Sequence, residues 1–216
     1  MNIKKTANLL INFTIKRLAE IFGVLIFFAG GMLLLALITY SPNDPNFIFP
    51  ENTKIENFMG FQGSFISDLF FQSVGLAAYL IPFTLLVTGI NIFKTKDFFL
   101  FIENNFFTIL YLIFGSLFLA HYYSDTYALY INGNSGFVGK YLAETFLKSL
   151  ILINEDIFFY ILILTLLIFF LCSINFSPTN FLIFSKKFLL FFNKNENKNY
   201  TDISEIISEY IPQDQI

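Results

Sequence analysis

Four long apolar stretches punctuate the chain, each close to the ~20 residues that carry a helix across a bilayer. They are residues 18–38, "LAEIFGVLIFFAGGMLLLALI", 74–93, "VGLAAYLIPFTLLVTGINIF", 105–120, "NFFTILYLIFGSLFLA", and 156–174, "DIFFYILILTLLIFFLCSI". The third is short unless residues 98–102 join it. The pattern predicts an all-α integral membrane protein with four transmembrane helices. Pro82 falls inside the second stretch, where neighbours can re-satisfy the freed carbonyl, and predicts a kink there. The first stretch exceeds the apolar core of a signal peptide and no small-x-small cleavage site follows it, so it reads as a retained span.

Between the spans the polar positions repeat themselves. "GFQGSFISDLFFQ" starts at Gly60 and "GFVGKYLAETFLK" at Gly136. Gly60 aligns with Gly136, Phe61 with Phe137, Gly63 with Gly139, Asp68 with Glu144 and Phe70 with Phe146. At 100° per residue, Ser64, Asp68 and Gln72 form one polar stripe, and Lys140, Glu144 and Lys148 form its counterpart. Phe61, Phe65, Ile66 and Leu69 lie opposite, as do Phe137, Tyr141, Leu142 and Thr145. Each copy predicts an amphipathic helix of about three turns, too short to cross and suited to lying in the interface. Glu144 and Lys148 have the favourable i,i+4 order. The expected architecture is two repeated hairpins, each a span, an outer loop with a short interfacial helix, and a second span.

Composition agrees with the pattern. Of 216 residues, 56% are hydrophobic, 32 are Phe, and 13% are charged, against about a quarter charged in soluble domains. One cysteine, Cys172, and one histidine, His121, leave almost nothing for a His/Cys metal centre. No cofactor is expected. Ten of the thirteen basic residues fall in three segments: before the first span (Lys4, Lys5, Lys16, Arg17), between the second and third (Lys94, Lys96), and after the fourth (Lys186, Lys187, Lys194, Lys198). Positive charge marks the cytoplasmic side. The expectation is a cytoplasmic segment 1–17, a membrane domain 18–176 with outer loops 39–73 and 121–155, and a cytoplasmic tail 177–216.

The first outer loop opens with "YSPNDPNF", Ser41, Pro42, Asp44 and Pro45 leading a stiff corner. Proline fixes φ and restricts the residue before it, and Asn and Asp favour Asx-turns. The run therefore shapes the exit from the membrane. Asp44 is a lone carboxylate, and metal or catalytic sites need several converging ligands. With Asn57, Gly60, Gly63, Asp68, Gly75, Tyr79 and Pro82 downstream, the corner resembles that of the N-terminal four-helix membrane domain of the FtsK/SpoIIIE DNA translocases, over roughly residues 15–176. "NGNSGFVGKYLAETF" in the second loop resembles it too.

The resemblance implies a membrane anchor and interaction domain at the bacterial division septum. It implies an inner-membrane location, a homo-oligomer (a hexamer) and septal membrane proteins as partners, besides the lipid bilayer. The family's motor needs a G-x-x-x-x-G-K-[ST] phosphate loop. The nearest sequence, "NSGFVGKY" at residues 134–141, lacks the first Gly and the Ser/Thr. The chain is expected to be the anchor without the ATPase, non-catalytic and making no direct contact with nucleic acid. The interaction candidates are Ser41, Pro42, Asp44, Pro45, Asn57, Gly60, Gly63, Asp68, Gly136, Gly139 and Glu144.

A small four-span transporter or channel subunit is the alternative. It requires a polar line through the spans, and there Thr84, Thr88, Thr108 and Thr165 read as scattered. Glu20 is expected to snorkel or to pair with Lys16. Gly23, Gly30, Gly31, Gly75, Gly89, Gly115 and Ser116 permit close helix approach. His121 among tyrosines reads as an interfacial residue, and Cys172 as a buried small one. The tail is polar, with apolar residues at helical spacing over residues 201–212 that predict a short helix.

Overall fold

The structure is a computed structural model that describes residues 3–45, 54–123, 132–145 and 147–179, with Leu182 and Lys186. The predicted helix at 201–212 lies outside the described residues. The chain divides into a large unit, Met1–Asn175, and a second one, Phe176–Ile216, of which few residues are described. The large unit is helical: α1 (Ile3–Ile38), α2 (Gly60–Val74), a 3₁₀ turn (Gly75–Tyr79), α3 (Leu80–Thr95), α4 (Phe99–Tyr122), α5 (Gly136–Ala143), α6 (Leu147–Ile153) and α7 (Glu155–Ser173). Four segments are long and apolar enough to cross a membrane: Asn8–Ile38, Gly60–Thr95, Phe99–Tyr122 and Glu155–Ser173.

The spans pair as two antiparallel hairpins, as the repeat predicts. In the first, α1 and α3 touch backbone to backbone through glycine. A Cβ on Gly23 would lie 2.8 Å from the Gly89 carbonyl oxygen, and one on Gly30 would lie 3.0 Å from the Leu86 nitrogen. Without a hydrophobic drive between helices in lipid, such close van der Waals contact is what holds them. Gly31 faces open space. In the second hairpin aromatic rings take over this role: Phe107 and Phe114 pack on Phe169, Tyr111 on Phe170 and Phe118 on Phe159. At the basic end of the first hairpin Glu20 bonds Arg17 (2.6 Å) and Lys96 (2.8 Å), not Lys16. The sequence offered the i,i+4 partner, but α3 brings Lys96 to the same carboxylate.

Several boundaries differ from the sequence pattern. The helix of the first span begins at Ile3, and residues 98–102 do extend the third, which starts at Phe99. Pro82 does not kink a span. The bend is at Gly75 (φ 63°) and the 3₁₀ turn, and Pro82 sits in the first turn of α3, where a missing N–H breaks no helical bond.

The larger correction concerns α2. An interfacial helix would turn its polar stripe to headgroups and water. Instead Ser64 and Asp68 are 1% and 6% exposed, while Phe61, Ile66 and Leu69 are 47%, 41% and 55% exposed. The helix is inside out, its polar side packed on the protein and its apolar side left for lipid. In the second copy the helix is interrupted: α5 ends at Ala143 and α6 starts at Leu147. Lys140 and Glu144 are exposed there, and the Lys148 side chain lies outside the described residues.

The threonines of the spans are not scattered. Thr84, buried in α3, lies 3.1 Å from both the Tyr111 hydroxyl of α4 and the Ser173 hydroxyl of α7. One turn on, Thr88 accepts from Asn104 Nδ2 at 2.8 Å, and Thr108 donates to the Asn104 carbonyl. These side chains form one buried polar seam joining the hairpins. Thr165 is apart from it, bonded to its own helix at the Ile161 carbonyl.

Candidate functional site

At the outer end of α1 the helix runs out of backbone partners, since its last four carbonyls have none within the helix. The corner supplies them. Thr39 Oγ1 donates to the Leu35 carbonyl at 2.7 Å. Asn57 Nδ2 donates to the Ala36 carbonyl at 2.9 Å and to that of Thr39 at 3.3 Å. Asn57 is therefore a C-cap delivered from 21 residues away. Its Oδ1 accepts from the Met59 amide (3.0 Å), a local Asx-turn that leads into α2.

Asp44 holds Asn57 in place. Only 1% exposed, its carboxylate accepts the Glu56 amide at Oδ1 (2.7 Å) and the Asn57 amide at Oδ2 (2.8 Å). Two charge-assisted bonds to adjacent amides fix both carboxylate oxygens. The Asp44 amide itself donates to the Ser41 carbonyl (3.2 Å), closing the turn that carries Pro42. Pro45 contributes its carbonyl, which accepts from Ser64 Oγ at 3.1 Å. The corner does shape the exit, but as a clasp across the loop and not as a run of local turns.

The glycines make room for it. Gly60 starts α2 at φ 67°, its amide donating to the Asn57 carbonyl. A Cβ on Gly63 would collide with Asn57 Oδ1. Asp68 lies one turn further along α2. It accepts from the Tyr40 hydroxyl at 2.9 Å and, more weakly, from Gln72 Nε2 at 3.4 Å. Burial, then the neighbouring Asp68 charge and its hydrogen bond, push the Tyr40 phenol well above its ordinary range.

The second loop and α4 together seal the far end of α2. Asn132 Nδ2 donates to the Gln72 carbonyl (3.2 Å), Ser116 Oγ to that of Val74 (3.0 Å), and the Leu76 amide donates to the Asn134 carbonyl (2.8 Å). Gly75 and Gly136, both at positive φ, lie back to back. A Cβ on Gly136 would come 2.6 Å from the Val74 nitrogen, and one on Gly75 2.7 Å from the Gly136 nitrogen. Gly139 is pressed against Ser116 and Ser135. Gly136 and Gly139 thus join the first-loop residues in one assembly. Glu144 is exposed and its side chain makes no bond within it among the described residues, and Pro42 is exposed at its surface. Tyr40, Ser64, Asn132 and Asn134 belong to the assembly but were not among the interaction candidates read from the sequence. Their signals were a tyrosine two residues past the first span, a place in the polar stripe and asparagines flanking Gly133.

Among the described residues no cluster of three or more His, Cys, Asp or Glu could hold a metal. What the geometry offers is a knot beyond the ends of α1 and α2 with its key polar groups turned inward.

A family model described as the 4TM region of DNA translocase FtsK/SpoIIIE matches residues 15–184. The chain belongs to this family. Proteins named DNA translocase FtsK are similar to it: that of Rickettsia typhi is 29% identical over 160 residues, covering 74% of this chain and 20% of the relative. That of Rickettsia prowazekii is 28% identical over 177 residues, covering 79% and 23%. That of Caulobacter vibrioides is 38% identical over 69 residues, covering 32% and 8%. The chain thus spans at most about a quarter of these relatives' length. No solved structure matches. Like other FtsK/SpoIIIE membrane regions, the chain is a multi-pass membrane protein, and the match lies on the transmembrane region and not on a motor.

Proposed function

We propose that the chain is the non-catalytic membrane anchor and interaction domain of an FtsK-like DNA translocase, placed in the inner membrane at the division septum with both termini cytoplasmic. The observation that carries this reading is the fall of the family match on residues 15–184, which takes in the last three spans, the first from residue 15 onward, and the whole knot. The basic residues favour the orientation. An assembly of several copies and septal membrane partners belong to the same reading.

The knot refines how a partner would read the outer loop. The Asp44 carboxylate is buried and fully engaged, so a partner meets exposed groups around it, Pro42 and the 76% exposed Phe58. Asp44 then acts by holding these in place.

The test is a fluorescent protein fused after Ile216 and imaged in dividing cells, using a reporter that matures only in the cytoplasm. A midcell band is the expected result, and Phe58→Ala should spread it around the envelope without lowering protein level. Uniform envelope signal from the unmutated chain would remove the septal role. Absence of signal with intact protein on a blot would overturn the topology.

The polar seam favours the transporter alternative more than the sequence did. Its members nevertheless bond to one another, as interhelical glue does, and it contains no charged residue. Transport predicts that Thr84→Val abolishes a flux, whereas the anchor reading predicts lost stability with septal placement kept.

A further inference from the structure

Beside the glycine contact of the first hairpin the surface opens into a groove of about 340 Å³, lined by Gly23, Val24, Phe27 and Phe28 of α1 and Gly89, Ile90 and Phe93 of α3. Every lining residue is apolar. Over residues 23–28 it runs roughly 8 Å along the helix, at 1.5 Å per residue. It faces outward, with Val24, Phe28, Ile90 and Phe93 38% exposed or more.

The basic end of the hairpin continues the same stripes. Residues four and seven apart share a helix face. On α1, Lys16 and Glu20 lie below Gly23 and Phe27, and Arg17 lies below Val24 and Phe28. On α3, Lys94 lies below Ile90, and Lys96 follows the last turn as its left-handed C-cap. Two acids lie at this end: Glu20, engaged by Arg17 and Lys96, and the exposed Asp97, whose carboxylate accepts from the Phe99 amide. Lys16 and Lys94 are exposed. The basic end below the all-carbon groove thus carries four cations against two carboxylates.

We infer that the α1–α3 groove is a binding site for an anionic glycerophospholipid, with the upper part of one acyl chain between Val24 and Ile90 and the phosphate at Lys16, Arg17 and Lys94. Both halves of the ligand are matched: a narrow apolar slot for hydrocarbon and, one to two turns further toward the basic end, an excess of positive charge for phosphate. Packing alone would leave the slot to any lipid; the basic rim selects the charge. The site stands whether or not the chain works at a septum.

The test is native mass spectrometry of the full chain released from membranes of equal phosphatidylcholine and phosphatidylglycerol. The expected result is retained phosphatidylglycerol in preference to phosphatidylcholine. Lys94→Ala and Lys16→Ala should each lower that preference, by roughly fivefold per lysine, the size of one basic side chain's attraction to an anionic surface. Val24→Trp, and independently Ile90→Trp, should fill the slot and lower retention of both lipids. Lys54→Ala and Ile109→Trp, on exposed positions away from the groove, should change neither. Equal retention of the two lipids, or a preference that survives the double Lys16/Lys94 substitution, overturns the inference. So does a dimer signal that Val24→Trp abolishes while lipid retention is unchanged, which would assign the groove to a second copy of the chain.

Discussion

Asp44 and Asn57 act as a pair, and their substitutions should differ in kind. Asp44→Ala leaves the Glu56 and Asn57 amides without an acceptor. The Asn57 amide is buried and the Glu56 amide only partly so; at about 1–3 kcal/mol for a buried unsatisfied group, the loss should be about 1 kcal/mol or more, read as a lower thermal midpoint and as faster hydrogen exchange at those two amides. Asn57→Asp should be worse than Asn57→Ala, since a carboxylate would face the Ala36 and Thr39 carbonyls that now accept from Nδ2; thermal midpoints of the two variants check the order. Tyr40 supplies a pH prediction. Its folded pKa is raised, so the neutral phenol is the form the fold favours. That contribution is complete below the ordinary tyrosine value of about 10 and declines as pH climbs above it. Tyr40→Phe should remove this alkaline component from a stability–pH curve. These roles were half legible in the sequence. Asp44 and Asn57 stand out by type, but their bonds cross 12 and 13 residues, and no local rule pairs them.

Helix by helix, the glycines separate by what surrounds them. Gly31→Leu should be tolerated, because nothing lies within 4 Å of its Cβ. Gly23→Leu should part α1 from α3 at a cost of about 2 kcal/mol or more, as overpacking does, measured by chemical denaturation in detergent. At the start of α2, Gly60→Ala meets only the strain of a positive φ, roughly 1 kcal/mol. Gly136→Ala adds a collision with the end of α2, so its loss should be the larger, read on the same curves. Four spans and two hairpins could be read from apolar runs and the glycine-led repeat. The facing of α2 could not. A helical wheel gives the separation of polar from apolar residues, but whether the polar side meets water or protein depends on what packs against it. Here Tyr40 and the Pro45 carbonyl, neither in the repeat, draw Asp68 and Ser64 inward.

For the whole molecule, the two hairpins are tied at two levels, by the seam around Thr84 and Thr88 along α3 and by the hold of the second loop and α4 on the end of α2. The seam escaped sequence reading because its members come from three helices. Asn104 fell just outside the expected third span, and Ser173 sat unremarked at the end of the fourth. The side chain of Asn104 is fully buried, and among the described residues its Oδ1 has no hydrogen-bond partner. Asn104→Leu should therefore cost less than Thr88→Leu, which strands Asn104 Nδ2 as well; thermal midpoints decide it. The seal on α2 also sets an order of events during synthesis. The Gln72 carbonyl leaves the ribosome 60 residues ahead of the Asn132 amide that will cap it, and the Val74 carbonyl 42 ahead of Ser116. A newborn first hairpin should therefore have this end of α2 uncapped, and be open to proteolysis, until the second hairpin arrives. Expressed alone, residues 1–97 should turn over quickly, and co-expression of residues 98–216 as a separate chain should lengthen their lifetime.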